Sequence, residues 1–125
     1  MEEPRILIIE DDPDGRASVV EAVEDGDMLA VAAATGEEGI AAFKSGSFDV
    51  VLSDLVLPDI DGNEVLTPFL KLNPEVPVMI TTAYCSADSS VKALKFGAYD
   101  YTPIPLDLDH LQSKLRPPLQ GSRLP

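Results

Sequence analysis

The sequence predicts a single doubly wound α/β sandwich with five helices, in which a five-stranded parallel sheet lies between two layers of helices. Short apolar runs alternate with segments of helical periodicity along the whole chain, and the first run is rich in the β-branched residues typical of strands buried on both faces. Such alternation gives right-handed crossovers and a parallel sheet. The 125 residues suffice for one domain of this kind and not for two.

The predicted strands are the apolar runs, and turn-forming or acidic residues end them. The first, Ile6–Ile9, stops at the acidic stretch Glu10-Asp11-Asp12. The five predicted strands cover residues 6–9, 28–33, 48–53, 76–81 and 98–102.

The predicted helices begin at residues that can cap a helix N-terminus. Asp14 is predicted to cap the first, which ends near Gly26, and Thr35 the second, whose first turn carries Glu37 and Glu38. The other three are predicted to begin at Thr67 followed by Pro68, at Ser86 or Asp88 with Gly97 as terminator, and at Asp107. Residues 1–116 then form the domain, and residues 117–125 a linker or disordered tail.

Charge and composition exclude several classes of function. Nine Lys and Arg residues stand against 22 Asp and Glu residues, a net charge of −13 that repels nucleic-acid phosphates and anionic membrane surfaces and attracts metal cations. The only cysteine, Cys85, has no internal disulfide partner, and the chain shows neither a signal peptide nor an apolar run long enough to span a bilayer. We therefore expect a cytoplasmic protein that binds neither nucleic acid directly nor membranes.

Acidic and hydroxyl side chains follow the predicted strands. Asp11 and Asp12 come after the first strand, Asp54 after the third and Thr82 after the fourth. Ligands of doubly wound sheets bind outside the carboxyl ends of the strands, so these side chains are candidates for one site. Carboxylates forced together either raise their pKa values or bind a divalent cation, and an oxygen-only set favours Mg²⁺, or Mn²⁺ as a substitute. A carboxylate so placed can also attack phosphorus and hold an aspartyl-phosphate.

Four segments, in order, resemble the receiver domain of two-component response regulators. They are ILIIEDD at residues 6–12, VVLSDLVLPDIDG at 50–62, VMITTAY at 78–84 and GAYDYTPIP at 97–105. The resemblance spans residues 5 to 116 and implies a flavodoxin-like receiver fold that is switched when a histidine kinase or phosphotransfer protein donates a phosphoryl group to an aspartate, with Mg²⁺ required. The last segment looks most like the regulators that drive sigma-54-dependent transcription.

The resemblance also implies roles for individual residues. Asp54 matches the phosphoacceptor. Asp11 and Asp12 match the acidic metal-binding pair, and Asp54 and the main-chain carbonyl of Val56 match further metal ligands. Thr82 matches the hydroxyl that bonds a phosphoryl oxygen.

Two positions near the predicted fifth strand complete the comparison. Tyr101 matches the aromatic ring that turns inward when the switch operates. Ile104 stands where the family has a lysine, whose ammonium group pairs with the acceptor carboxylate and with the phosphoryl oxygens. Isoleucine cannot do this, so we expect a receiver with altered chemistry.

Three functions from different classes follow. The leading one is a phosphoryl-accepting signalling module, not an enzyme, whose fourth helix, fifth strand and fifth helix form an output surface for an output domain or a second copy. The second, favoured by Ile104, is a receiver-like interaction module independent of phosphorylation. The third is a Mg²⁺-dependent phosphohydrolase. Such an enzyme would carry a general acid two residues after the nucleophile, and here Val56 occupies that position.

Overall fold

The computed structural model describes residues 3–54, 57–59, 66–82, 95, 97–103 and 113, and these residues form five strands and three helices. The elements are β1 (Arg5–Ile9), α1 (Pro13–Asp25), β2 (Leu29–Ala33), α2 (Gly36–Ser45), β3 (Val50–Asp54), α3 (Leu66–Leu72), β4 (Val78–Thr82) and β5 (Asp100–Pro103). Among the described residues, no helix is both long and apolar enough to cross a membrane.

The five strands form one parallel sheet in the order β2-β1-β3-β4-β5, which confirms the predicted parallel sheet. The chain passes from β1 outward to β2 and then returns to place β3 on the other side of β1. The strand order therefore reverses between β1 and β3. The carboxyl ends of these two strands flank the crevice in which such folds bind ligands.

Two hydrophobic cores lie on opposite faces of the sheet, as expected of a doubly wound fold. On one face, Val19 and Val23 of α1 pack with β1 residues such as Ile6 and Ile8. On the other, the aromatic rings of α2 and α3 meet edge to face, with the centroids of Phe43 and Phe69 5.0 Å apart. The strands alternate their side chains between the faces, so β1, β2, β3 and β4 each contribute to both cores.

Helix α2 packs unusually close to β1 because Gly39 faces the sheet without a side chain. A Cβ atom at Gly39 would lie 2.4 Å from Cδ1 and 2.7 Å from Cγ1 of Ile9. Thr35 caps α2 as predicted, since its hydroxyl oxygen accepts a hydrogen bond from the Glu38 N–H at 3.1 Å. The helix start is therefore held near the carboxyl end of β1.

Several element bounds differ from the prediction. Asp12, not Asp14, caps α1, β3 extends to Asp54, and Thr67 lies inside α3. The described residues contain three helices, and the predicted fourth and fifth lie almost entirely outside them. Gly97, the predicted helix terminator, has the positive φ of 106° that this role requires.

Candidate metal centre

Three carboxylates meet where β1 and β3 end. The strand register pairs Ile9 with Ser53, so the residues that follow them, Glu10 and Asp54, come side by side. Glu10, Asp11 and Asp54 each offer a carboxylate oxygen, and these oxygens all lie within 4.8 Å of one another. Glu10 is buried, Asp54 is half-buried and Asp11 is exposed, so the cluster opens to solvent on one side.

Glu10 lies at the buried end of this cluster, and it is only 4% exposed. Its Oε1 accepts a hydrogen bond from the Asp12 N–H at 3.1 Å, whereas its buried Oε2 has no hydrogen-bond partner among the described residues. Burial raises the pKa of Glu10 from 4.5 to about 7, the Asp12 N–H opposes this rise, and Asp54 and Asp11 add to it. A positive charge at the cluster would relieve these costs.

The loop that carries two of the carboxylates is held by a side chain of α1. Nη1 of Arg16 donates hydrogen bonds to the main-chain oxygens of Glu10, at 3.0 Å, and Asp11, at 3.5 Å. These bonds fix the main chain and leave both carboxylates to face Asp54. Arg16 thereby stabilises the loop without occupying the cluster.

Asp12, which the resemblance assigned to the metal-binding pair, is not part of the carboxylate cluster. Its Oδ2 accepts a hydrogen bond from the Gly15 N–H at 2.7 Å, which makes it the N-cap of α1. Glu10 takes its place beside Asp11. A signal in the sequence could have shown this, because an aspartate directly before a proline is typical of a cap followed by proline at the first helical position.

The remaining predicted site residues are described only in part. Thr82 ends β4 one residue after Thr81, the register partner of Asp54, and Tyr101 lies within β5. The predicted roles of these two side chains, and those of Val56 and Ile104, lie outside what the structure describes.

Thr81 has a structural role. It is only 3% exposed, and its hydroxyl donates a hydrogen bond of 3.4 Å to the main-chain oxygen of Ser53 in β3. This bond ties β4 to β3 one residue before Asp54.

The sequence pattern does not single out Asp59. Its carboxylate oxygens accept hydrogen bonds from the N–H groups of Gly36 and Glu37, both at 2.9 Å. Asp59, five residues after the end of β3, is thus attached to the first turn of α2.

The donor set suits a hard divalent cation such as Mg²⁺. All three side chains offer oxygen, and one buried oxygen, Oε2 of Glu10, lacks a hydrogen bond within the described chain. Mg²⁺ prefers carboxylate ligands, keeps several waters and takes phosphate oxygens as further ligands. The residues present therefore fit the group that the resemblance implies.

Comparisons with known proteins identify relatives of this chain. The family described as response regulator receiver domain matches residues 6–116. The transcriptional regulatory protein ZraR of Klebsiella oxytoca is 39% identical over 124 residues, which make up 98% of this chain and 28% of that protein. The DNA-binding transcriptional regulator NtrC of Salmonella typhimurium is 34% identical over 83% of this chain and 22% of its own length. The chain thus spans about a quarter of the length of these curated relatives.

A solved structure gives the same result for the fold. The crystal structure of a CheY-like response regulator receiver domain protein from Methanospirillum hungatei superposes with a TM-score of 0.90 at 32% identity, and the match covers 97% of both chains.

Proposed function

The chain belongs to the response regulator receiver domain family, and on this basis we propose that Asp54 accepts a phosphoryl group from a histidine kinase or phosphotransfer protein with the help of Mg²⁺. One observation carries the proposal: Asp54 lies at the end of β3 with its carboxylate against those of Glu10 and Asp11, within 4.8 Å. A carboxylate placed among other carboxylates, at a half-exposed strand end, can reach both a cation and a phosphoryl donor.

Each residue of the cluster has a defined part in the transfer. An oxygen of Asp54 attacks phosphorus and forms an O–P bond, while the N–P bond to the donor imidazole breaks and its electron pair returns to the nitrogen. Glu10 and Asp11, whose main-chain oxygens accept hydrogen bonds from Arg16, would hold a bound cation. A bound Mg²⁺ would supply the positive charge that lets the anionic phosphoryl group approach this acidic cluster.

We propose a switch rather than an enzyme, in which each chain would hold one phosphoryl group without turnover. The aspartyl-phosphate would bias two arrangements of the region around Thr82 and Tyr101, because its contacts exist in only one of them. The output surface would be the predicted fourth helix, β5 and the predicted fifth helix, facing an output domain or a second copy. The names of the relatives support a role in the control of transcription. We propose that the protein acts in the cytoplasm as part of a sigma-54-dependent regulator.

Incubation with Mg²⁺ and acetyl phosphate, followed by intact-mass spectrometry, tests the proposal. We expect one phosphoryl adduct per chain that is absent from Asp54→Asn and from samples with a chelator in place of Mg²⁺. No adduct on the folded wild-type protein would overturn phosphoryl acceptance. Sustained release of phosphate beyond one equivalent per chain would overturn the switch in favour of a phosphohydrolase.

A second candidate function is a receiver-like interaction module that does not depend on phosphorylation. Ile104 favours it, because this residue replaces the family lysine that would pair with the phosphoryl oxygens. In the leading proposal, Ile104 weakens phosphorylation or its conversion into a change of shape. Ile104→Lys should then increase the rate of adduct formation or enlarge the conformational response, and no difference in either would contradict this role.

A further inference from the structure

The Asp59 carboxylate accepts hydrogen bonds from two main-chain N–H groups of α2 that have no acceptor within the helix. The first N–H groups of an α-helix have no partner within the helix. In α2, the Thr35 hydroxyl accepts the bond from Glu38, and the two carboxylate oxygens of Asp59 accept those from Gly36 and Glu37. Both Asp59 bonds are 2.9 Å long and have an ionised acceptor, the stronger kind of hydrogen bond.

The start of α2 is itself fixed relative to the carboxylate cluster. Gly39 lets α2 lie directly on Ile9, the last residue of β1. The N–H of Glu10 donates a 3.0 Å hydrogen bond to the main-chain oxygen of Ala33, three residues before α2 begins. A group bonded to the first turn of α2 is therefore also fixed relative to Glu10.

Asp59 follows Asp54 by five residues and has a second anchor nearby. Leu57 is 9% exposed and belongs to the same hydrophobic core as Ile9 and Phe43. Leu57 is thus held in the core and Asp59 is held at α2, three and five residues after Asp54. Because these two anchors are close to Asp54 in the sequence, they restrict its position at the end of β3.

We propose that Asp59 is a positioning residue for the metal centre: its bonds to Gly36 and Glu37 hold residues 57–59 against α2 and so keep Asp54, at the end of β3, in the position in which the cluster binds Mg²⁺. Asp59 acts through the main chain and is not itself a ligand. The inference rests on the proposed function of the cluster as a Mg²⁺ site.

A different explanation would be charge alone, because any anion near the cluster attracts a cation. The two explanations predict different effects of replacing the carboxylate by an amide. Asp59→Asn removes the charge but keeps a carbonyl oxygen that accepts a bond from Gly36 or Glu37, whereas Asp59→Ala removes both. Recovery of Mg²⁺ affinity in Asp59→Asn therefore shows that Asp59 acts through its hydrogen bonds to Gly36 and Glu37, which we call the tether.

Asp49 offers a matched control at the opposite, amino-terminal end of β1 and β3. Its Oδ2 accepts a 2.8 Å hydrogen bond from the main-chain N–H of Arg5, at the start of β1. Asp49→Ala thus removes the same charge and a side-chain bond to a main-chain N–H, far from the cluster. It controls for the general effects of such a substitution on stability and net charge.

The experiment measures the Mg²⁺ dissociation constant of the four proteins by isothermal titration calorimetry, after circular dichroism has shown that each is folded. We expect Asp59→Ala to weaken binding about tenfold, as loss of supporting residues around a metal does. Asp59→Asn should recover most of the affinity, and Asp49→Ala should bind like the wild type. Amide hydrogen exchange at Gly36 and Glu37 should be faster in Asp59→Ala than in the wild type.

The outcomes separate this inference from the proposed function. A wild-type protein that binds no Mg²⁺ overturns both. If the wild type binds and Asp59→Ala binds equally well, only the positioning role of Asp59 is overturned. Equal weakening in Asp59→Ala and Asp59→Asn would assign the effect to charge and also overturn the tether. Should Asp59→Ala fail to fold, the Asp59→Asn dissociation constant and exchange rates decide: affinity much below the wild type overturns the tether.

Discussion

Glu10 couples the stability of the fold to pH. Its pKa rises from 4.5 to about 7 in the folded protein, mainly through burial, with Asp54 and Asp11 adding to the rise. The folded state therefore keeps a proton that the unfolded chain gives up. The stability that this group contributes is fully present below pH 4.5 and is lost as pH rises through about 7.

Glu10→Gln, which mimics the protonated side chain, should therefore stabilise the metal-free protein more at about pH 8 than at about pH 5. Urea unfolding in the presence of a chelator measures the free energy of unfolding of both proteins. Far-UV circular dichroism is the suitable probe because the chain has no tryptophan. The same difference between variant and wild type at both pH values would contradict the shifted pKa.

Asp11 and Asp12 are neighbours with separable roles. Asp12→Ala removes the cap of α1, so it should lower the free energy of unfolding by about 1 kcal/mol and leave Mg²⁺ binding intact. Asp11→Ala should abolish or strongly weaken Mg²⁺ binding while α1 keeps its cap. Urea unfolding and calorimetric titration of both variants check this, and loss of Mg²⁺ binding in Asp12→Ala would return Asp12 to the ligand set.

The candidate site could be predicted from the sequence only to within one residue. Asp11 and Asp54 were identified because carboxylates at the ends of neighbouring parallel strands must lie close together. Glu10 was missed because which of three consecutive acids faces the cluster depends on where β1 ends and where α1 begins. Asp59 was missed because its partners, Gly36 and Glu37, are far from it in the sequence and only the fold brings them together.

At the scale of elements, the contact between α2 and β1 depends on Gly39. Gly39→Ala would place a methyl group 2.4 Å from Ile9 Cδ1, inside a buried contact, so we expect a loss of about 1–3 kcal/mol in the free energy of unfolding. Ile9→Val removes that Cδ1 atom and should cost less in the Gly39→Ala background than in the wild type. Urea unfolding of the single and double variants measures this coupling.

Gly46 provides the control for Gly39, because it ends the same helix with an extended main chain at φ −150°. A Cβ atom there would meet its nearest neighbour, Nη2 of Arg5, at 3.5 Å, an ordinary contact. Gly46→Ala should therefore be neutral or slightly stabilising. A loss in Gly46→Ala as large as that in Gly39→Ala would show that the steric argument is wrong.

Elements were predictable where local signals agree with the packing. The prediction of β1 was correct to within one residue because an apolar run marks the strand in the sequence. The start of α2 was correct because Thr35 is a residue type that caps helices. α3 was not, because Pro68 suggested a start at Thr67 and the structure includes Thr67 and Leu66 in the helix. Leu66 and Phe69 are buried in the core, and this packing outweighed the local preference for a helix start at Thr67.

At the scale of the whole molecule, the fold was the most predictable feature. Alternating strands and helices leave few topologies for a parallel sheet, so the five-stranded parallel sheet was predicted from the sequence, whereas its strand order came from the structure. The net charge of −13 opposes compaction, and the cluster of Glu10, Asp11 and Asp54 concentrates part of that repulsion at one strand end.

Mg²⁺ and K⁺ should therefore stabilise the protein by different amounts at equal ionic strength. Both salts screen the general repulsion, whereas only Mg²⁺ binds the cluster, and ten times its dissociation constant should add about 1.4 kcal/mol to the free energy of unfolding. Urea unfolding in matched MgCl₂ and KCl measures the difference, with Asp54→Asn as the control that should reduce it. Equal stabilisation of the wild type by the two salts would mean that the cluster responds to ionic strength alone, and that Asp54 lacks the cation its proposed phosphorylation requires.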